Sequence, residues 1–255
     1  MPWAKPKIYY NTGITALTAT PLPSTNYPVS NLIDGYDGTL WKAPDTTTQV
    51  IKHDAGVGNT HTFDFLAIVD HNFASAKPNL TLAYSSDDIT YTTSLSIAAA
   101  SALYDDPMIL QEFTQRAYRF QKLTLSNCLV APQMAICYWG KFHELDYVDV
   151  SFSPDATEIK ANINITETGF LSGVHEKYTE RSMELKWEDM DDAFYQVVKT
   201  FIETVGLLNF VIAWELTSHP SEIFLMRREP GRFAAPLKFG GARRDVTLSL
   251  IGRSL

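Results

Sequence analysis

The stretch NLIDGYDGTLW, from Asn31 to Trp41, concentrates side chains that could do chemistry. Two carboxylates, Asp34 and Asp37, stand with the hydroxyl of Thr39, two glycines and an indole in one short segment. The segment is too short for a helix and too rich in turn residues for a strand. It is therefore either a plain surface turn or an ordered loop folded around an ion or a buried ring.

The histidines do not form a recognised catalytic motif. The six are His53, His61, His71, His143, His175 and His219. The chain has no H-E-x-x-H sequence, no serine in a G-x-S-x-G turn and no glycine-rich phosphate loop. Asp70–His71 and His143–Glu144 are sequence neighbours, and neighbours on a strand point to opposite faces. We therefore expect no catalytic residue and no enzyme.

The composition excludes several classes of protein. A net charge of −8 over 255 residues argues against a nucleic-acid partner, which requires a basic face. A hydrophobic content of 45% is sufficient for well-packed cores.

Cys128 and Cys137 lie in apolar runs and are expected to be buried free thiols. No signal-peptide pattern and no membrane-spanning apolar run is found, so we expect synthesis in a cytoplasm.

Residues 7 to about 147 are predicted to form β-strands. Short segments rich in β-branched and aromatic residues alternate with turn signals and leave no room for crossover helices. This spacing predicts an antiparallel sandwich or barrel in a first domain, residues 1–148. FDFLAIVD is continuously apolar at its centre, as in a strand that is covered on both faces.

A second domain, residues 149–255, is predicted to be α+β. It opens with a polar linker or extended hairpin, followed by the strand SMELKW. One helix follows, with Asp189 as its cap and Gly206 as a left-handed C-terminal residue. Its apolar stripe contains Ala193, Phe194, Val197, Val198, Phe201, Ile202 and Val205. This stripe must pack on a sheet or in a partner's groove.

The first domain resembles a known family through six motifs in order. They are ITALTAT, YPVSNLIDGYDGTLW, TFDFLAIVDHNF, LAYSSDDITYTT, RAYRFQKLTL and YWGKFHEL. Together they resemble the discoidin, or coagulation-factor type C, group of galactose-binding-like jelly rolls, over Ile14 to Leu145. The resemblance implies an antiparallel jelly-roll sandwich whose floor contains the Trp41 ring.

The same resemblance implies a possible calcium site at the Asp-Gly turn. Asp34, Asp37 and Thr39, with Glu144 from the last strand, can supply the mixed oxygen ligands that Ca²⁺ requires. The alternative is that Asp34 and Asp37 accept backbone N–H groups in Asx turns, with positive φ at Gly35 and Gly38. In both interpretations the loop is structural.

The resemblance also implies glycan binding through aromatic residues at loop tips. Tyr36, Tyr91 and Tyr104 fall in segments between strands and are the candidates for stacking on sugar rings. Tyrosine is also common as a half-buried residue at strand ends, so the sequence leaves both interpretations open.

Two basic clusters, RREPGR and GGARRD, stand out in this acidic chain. Arg227, Arg228, Arg232, Arg243 and Arg244 either form a solvated rim or meet acidic patches such as EDMDD on a neighbouring copy. Head-to-tail pairing of this kind closes rings. These arginines, together with Phe194 and Phe201 of the helix, are the predicted assembly residues.

The order of elements in the second domain is similar to that of phage tail-tube, distal-tail and tail-tip proteins. That resemblance implies a β-sandwich with a flanking helix, and a homo-oligomeric ring of six copies. The leading hypothesis is a structural virion protein at the tail tip of a tailed phage. Its partners would be tube, hub and fibre proteins and possible host-surface glycans. The second hypothesis is a non-viral lectin-like carbohydrate-binding module, and the third is a polysaccharide hydrolase with a binding module.

Overall fold

The computed structural model of the chain describes residues 4–148, 153–154, 156–241 and 243–253. Its contacts divide into two compact units. The sandwich unit contains residues 8–143 and 208–210, and the sheet–helix unit contains the remainder. The sequence places a domain boundary between 148 and 149. Residues 149–152 lie outside the described residues, and the contacts divide between 143 and 144.

The strands up to the division at 143/144 are two to eleven residues long, and the pairings within the two sandwich sheets are antiparallel. In chain order they are β1 (Lys7–Tyr9), β2 (Thr18–Thr20), β3 (Trp41–Lys42), β4 (Gln49–Asp54), β5 (His61–His71), β6 (Asn79–Ser85), β7 (Thr92–Ile97), β8 (Met108–Tyr118), β9 (Phe120–Ser126), β10 (Gln133–Gly140) and β11 (His143–Glu144). One sheet has the order β3-β10-β5-β8, and the other has the order β2-β4-β9-β6-β7. The division between the units falls within β1 and β11.

These two sheets confirm the predicted sandwich. In β4 and β9 buried and partly exposed residues alternate, which is the pattern of strands with one face on a core. In β5 every residue from Phe63 to Val69 is buried, as the apolar run FDFLAIVD predicts. The core includes Trp41, which is fully buried, so the prediction for its ring is confirmed. Cys128 and Cys137 are buried free thiols, also as predicted.

Helical structure in the sandwich unit is limited to short turns. Helix α1 spans Phe73–Ala76, and 3-10 turns span Val29–Ile33 and Ala102–Tyr104. The sequence predicts a single strand over RAYRFQKLTLS. In the structure this segment is broken at Arg119, so its first residues end β8 and the rest form β9.

The strands after the division form one sheet in the described residues. They are β12 (Thr157–Ile165), β13 (Leu171–Met190), β14 (Phe210–Ala213), β15 (Ile223–Arg228), β16 (Leu237–Lys238) and β17 (Arg243–Arg253). The order within the sheet–helix unit is β14-β15-β17-β13-β12, and β16 pairs with β17. A 3-10 turn spans Phe239–Gly241. The predicted strand SMELKW is the part of β13 that pairs with β17.

The predicted amphipathic helix is α2, Asp192–Val205. Its cap is Asp191, whose side chain accepts the N–H of Phe194, and not Asp189, which has a φ of 63° beside a register shift in β13. Gly206 has the expected positive φ, but its ψ of −113° lies outside the left-handed helical region. None of the described helices is long and apolar enough to cross a membrane.

The helix packs its apolar stripe within its own chain. Val198, Phe201 and Val205 are buried, whereas Ala193 is exposed. Phe194 lies against Trp187 of β13, with ring centroids 5.2 Å apart. The prediction that Phe194 and Phe201 contact a partner is therefore wrong for the buried Phe201, and Phe194 already has a ring partner.

Candidate functional site

The loop that ends at Trp41 is closed by hydrogen bonds from its own backbone and side chains. Oδ1 of Asp34 accepts the N–H of Tyr36, and Oδ2 accepts the hydroxyl of Thr39, both at 2.8 Å. This is the Asx-turn arrangement that the sequence left as the alternative to calcium. Gly35 takes a φ of +79°, whereas Gly38 does not have positive φ, so that part of the prediction is wrong.

A segment from much later in the chain fixes the same loop. The N–H of Asn209 donates to the carbonyl of Gly35 at 3.1 Å, and its Nδ2 donates to Oδ1 of Asp37 at 3.3 Å. A Cβ on Gly35 would lie 2.7 Å from Cβ of Leu208, which is closer than side chains pack. The loop therefore needs glycine at this position both for its φ and for the close approach of residue 208.

The calcium prediction finds no support in this geometry. Asp34 directs both oxygens to donors in the loop, and Asp37 accepts from Asn209. Glu144 is exposed and falls in the other unit. Among the described residues, no three His, Cys, Asp or Glu side chains form a group that could hold a metal ion. The described geometry therefore gives no support to a calcium site formed by Asp34, Asp37, Thr39 and Glu144.

The three candidate tyrosines have different environments. Tyr104 is 2% exposed, and its hydroxyl donates to the carbonyl of Pro78 at 2.9 Å, so its prediction as a stacking residue is wrong. Tyr91 donates to Asp88, and the ammonium of Lys122 lies 3.6 Å from its ring centroid. Tyr36 is 57% exposed. Among the described residues no ring contact joins any two of them, so they do not form one aromatic platform.

The predicted assembly arginines separate into two groups. Arg243 donates to the carbonyl of Asp189 at 3.1 Å, and Arg244 lies 3.7 Å from the carboxylate of Asp192 and over the ring of Tyr195. Arg243 and Arg244 therefore contact the EDMDD stretch of their own chain. The prediction that they contact this stretch on a neighbouring copy is wrong. Arg227, Arg228 and Arg232 have no carboxylate partner among the described residues, which leaves their assembly role a prediction.

The most unusual surface is the outer part of the β12–β13 hairpin, residues 159–179, which we call the arm. From Glu180 onward β13 pairs with β17, but the arm residues of β13 pair only with β12, and β12 is the last strand of the sheet. Within the described residues, both long edges of the arm are therefore open. Each edge presents backbone N–H and C=O groups that can pair with another strand.

One face of the arm is mainly apolar and exposed, although Glu176, which opposes Ala161, lies on it as well. Directly opposed residues share a face, and Ile163 opposes Val174 while Ile165 opposes Leu171. Ile159 joins them through the two-residue alternation of β12. These five side chains are 58–64% exposed. Phe170, in the turn that closes the hairpin, is 73% exposed.

The other face of the arm is polar. Glu158 and Glu180, at the arm's base, flank Lys160, whose ammonium lies 2.6 Å and 3.0 Å from their carboxylates. Asn162 opposes His175, and Asn164 opposes Gly173. The arm is thus an amphipathic two-stranded ribbon, and such a ribbon is marginally stable in water without a further partner. The signal was present in the sequence as the alternating isoleucines of IKANINI.

Comparisons with known proteins give structural similarity alone. No protein-family model and no curated protein sequence matches the chain. A chitosan-binding module of a chitosanase/glucanase from Paenibacillus sp. IK-5 is 17% identical, with a TM-score of 0.43, over 52% of this chain and 99% of that one. The CBM32 of AlyQ, in complex with 4,5-unsaturated mannuronic acid, is 21% identical, with a TM-score of 0.42, over 52% and 96%. A pectin-binding module is 17% identical, with a TM-score of 0.40, over 51% and 91%.

Proposed function

We propose that this chain is a structural protein that assembles into a closed ring through its arm. The observation that carries the proposal is the amphipathic ribbon 159–179, with two open edges and an apolar face that the described residues leave exposed. A strand of a second copy added to an open edge would satisfy backbone groups and shield apolar side chains together. No catalytic step is required.

The two edges of the arm favour a ring over a simple dimer. The β12 edge of one copy can pair with the β13 edge of the next, which leaves the β12 edge of that second copy free. Contacts between two different surfaces repeat from copy to copy and end only when the rotation closes a ring. The finer identity that we propose is a distal-tail or minor tail protein at the tail tip of a tailed phage, in a ring of six copies.

The test is the oligomeric state of the full chain. Changing Val174 and Leu171 together to asparagine removes apolar area from the arm and adds no charge. We expect the parent chain to form rings visible by electron microscopy and the double variant to be monomeric in light scattering. The matched control changes Asn162 and Asn164 on the polar face to serine and should retain the rings. A parent chain that stays monomeric at high concentration would refute the proposal.

A second candidate function is carbohydrate binding by the sandwich unit. The observation that favours it is the exposed ring of Tyr36 on a loop whose backbone is fixed by Asp34 and Asn209. A rigid aromatic side chain can stack on a sugar ring with little loss of conformational entropy. Glycan-array binding that is lost in Tyr36→Ala and retained in Tyr104→Phe would support this function. An array without any signal would argue against it.

A further inference from the structure

Two histidines meet at one end of the sandwich core. His53 lies on the buried face of β4, and His61 is the first residue of β5. They are 4% and 7% exposed, and their ring centroids are 5.2 Å apart with planes at 80°. Gln121 of β9 pairs directly with His53 in the sheet and is fully buried. Three polar side chains of the sandwich unit are therefore buried together where an apolar core would be expected.

Several polar atoms of this group make no well-formed hydrogen bond among the described residues. They are both ring nitrogens of His61 and Oε1 of Gln121, although the Gln121 amide lies close enough to the His61 ring to interact with it. Nε2 of Gln121 donates to the carbonyl of Tyr118 at 2.5 Å, which fixes the amide so that its oxygen is the free atom. Buried polar atoms without partners are rare in folded proteins, and a bound ion or water is one of the ordinary explanations.

The hydrogen bond of His53 leaves one of its ring nitrogens available to a metal ion. Its Nδ1 lies 3.2 Å from the carbonyl of Ala16, and because a carbonyl only accepts, Nδ1 carries the proton. Nε2 is then the nitrogen with the lone pair. Histidines that ligate metals usually donate their other ring N–H to a carbonyl or carboxylate in this way.

We propose that His53, His61 and Gln121 form a binding site for a divalent transition-metal ion such as Zn²⁺, Co²⁺ or Ni²⁺. With metal–nitrogen distances of about 2.0–2.1 Å, two imidazoles on one tetrahedral ion have centroids about 5 Å apart, as these two have. Nε2 of His53, one ring nitrogen of His61 and Oε1 of Gln121 are the protein ligands, and water completes the coordination. Imidazole nitrogens select these ions over Ca²⁺ and Mg²⁺.

The experiment uses the full chain without a histidine tag, stripped with a chelator and titrated with Co²⁺. We expect about one ion per chain, with the visible absorption of a tetrahedral site, and displacement by Zn²⁺. His61→Asn should weaken binding about tenfold or more, because it removes a direct ligand. The matched control is His71→Asn, which changes a histidine at the other end of β5 and should bind like the parent. No uptake, or equal uptake by His61→Asn, would overturn the proposal.

A measurement on the unaltered chain covers the case in which His61→Asn does not fold. Histidine ring nitrogens labelled with ¹⁵N are followed by NMR during addition of Zn²⁺. We expect resonances of His53 and His61 to move to the range of metal-bound nitrogen while those of His71 stay unchanged. Shifts confined to His175 or His219, which lie nearer the surface, would show adventitious binding only and would overturn the proposal.

Discussion

The Asn31–Trp41 loop and the arm satisfy their polar and apolar groups in opposite ways. In the loop, Asp34 binds a backbone N–H and a hydroxyl of the same loop, and Asn209 supplies further bonds. In the arm, backbone edges and isoleucines remain exposed. The loop therefore contributes to the stability of the fold, whereas the arm leaves backbone groups and apolar side chains available to a partner.

The largest effect on stability should come from a substitution of Trp41, the residue that ends the Asn31–Trp41 loop. Trp41→Ala should lower the free energy of unfolding by about 3–5 kcal/mol, because it leaves a cavity in a core where the parent ring is fully buried. The measurement is urea unfolding, with hydrogen exchange at the amides of β10 to assign the effect to the sandwich unit. Trp41→Phe is the control and should cost distinctly less. A change below about 1 kcal/mol for Trp41→Ala would show that the loop does not depend on this ring.

A second prediction concerns acid, and it tests the imidazole of His71, the last residue of β5 in the sandwich unit. Burial lowers the pKa of His71 to about 4, while the unfolded chain has a pKa near 6.5. Between these values the unfolded state binds a proton that the native state does not bind, so the free energy of unfolding falls as pH decreases from 6.5 to 4. The contribution is about 3 kcal/mol over this range.

The control for the acid effect is the variant His71→Asn, which has no titrating group at this position. Its free energy of unfolding should fall less steeply than that of the parent between pH 6.5 and pH 4, and the two curves should be parallel above pH 7. Identical slopes throughout would show that His71 is already protonated or solvated in the native state.

The loop carboxylate should have a smaller effect on stability. Asp34→Ala removes the acceptor for Tyr36 and Thr39 and should cost about 1–2 kcal/mol in urea unfolding. Asp34→Asn retains an acceptor oxygen and should cost less. If the loop is closed by these bonds, millimolar Ca²⁺ leaves the melting temperature of the parent unchanged. A calcium-dependent rise that Asp34→Ala abolishes would restore the ion-binding interpretation.

The sequence predicted the features that depend on local pattern. The alternation of β4 and β9, the continuous burial of β5 and the amphipathic α2 all follow from the spacing of apolar residues. The position of the Asp191 cap differed by two residues because EDMDD offers several equivalent carboxylates. The burial of Trp41 was expected from the resemblance to galactose-binding-like jelly rolls and not from local pattern, and the structure confirms it.

Features that depend on contacts distant in sequence were not predictable. The bonds from Asn209 to Gly35 and Asp37 join residues more than 170 positions apart, and the burial of Tyr104 depends on Pro78. The pairing of Arg243 and Arg244 with the chain's own acidic stretch arises from the register of β13 against β17. The residue types of Tyr104, Arg243 and Arg244 indicated binding or assembly roles. Their contacts within the chain show that Tyr104 is a core residue and that the two arginines bind the chain's own acidic stretch.

The smallest expected effect on stability is on the arm, and the same change, isoleucine to alanine, can be made in the core of the sandwich unit for comparison. Ile51→Ala, in the core, should cost about 2–5 kcal/mol, whereas Ile163→Ala, on the arm, should change the free energy of unfolding by less than about 0.5 kcal/mol. Both are measured by urea unfolding at a concentration where the chain is monomeric. At high concentration the order should reverse: Ile163→Ala should weaken assembly in light scattering, because the lost apolar area belongs to the proposed contact between copies. If Ile163→Ala instead destabilised the monomer as much as Ile51→Ala, the arm would already be packed within its own chain, and the contrast between the two regions would fail.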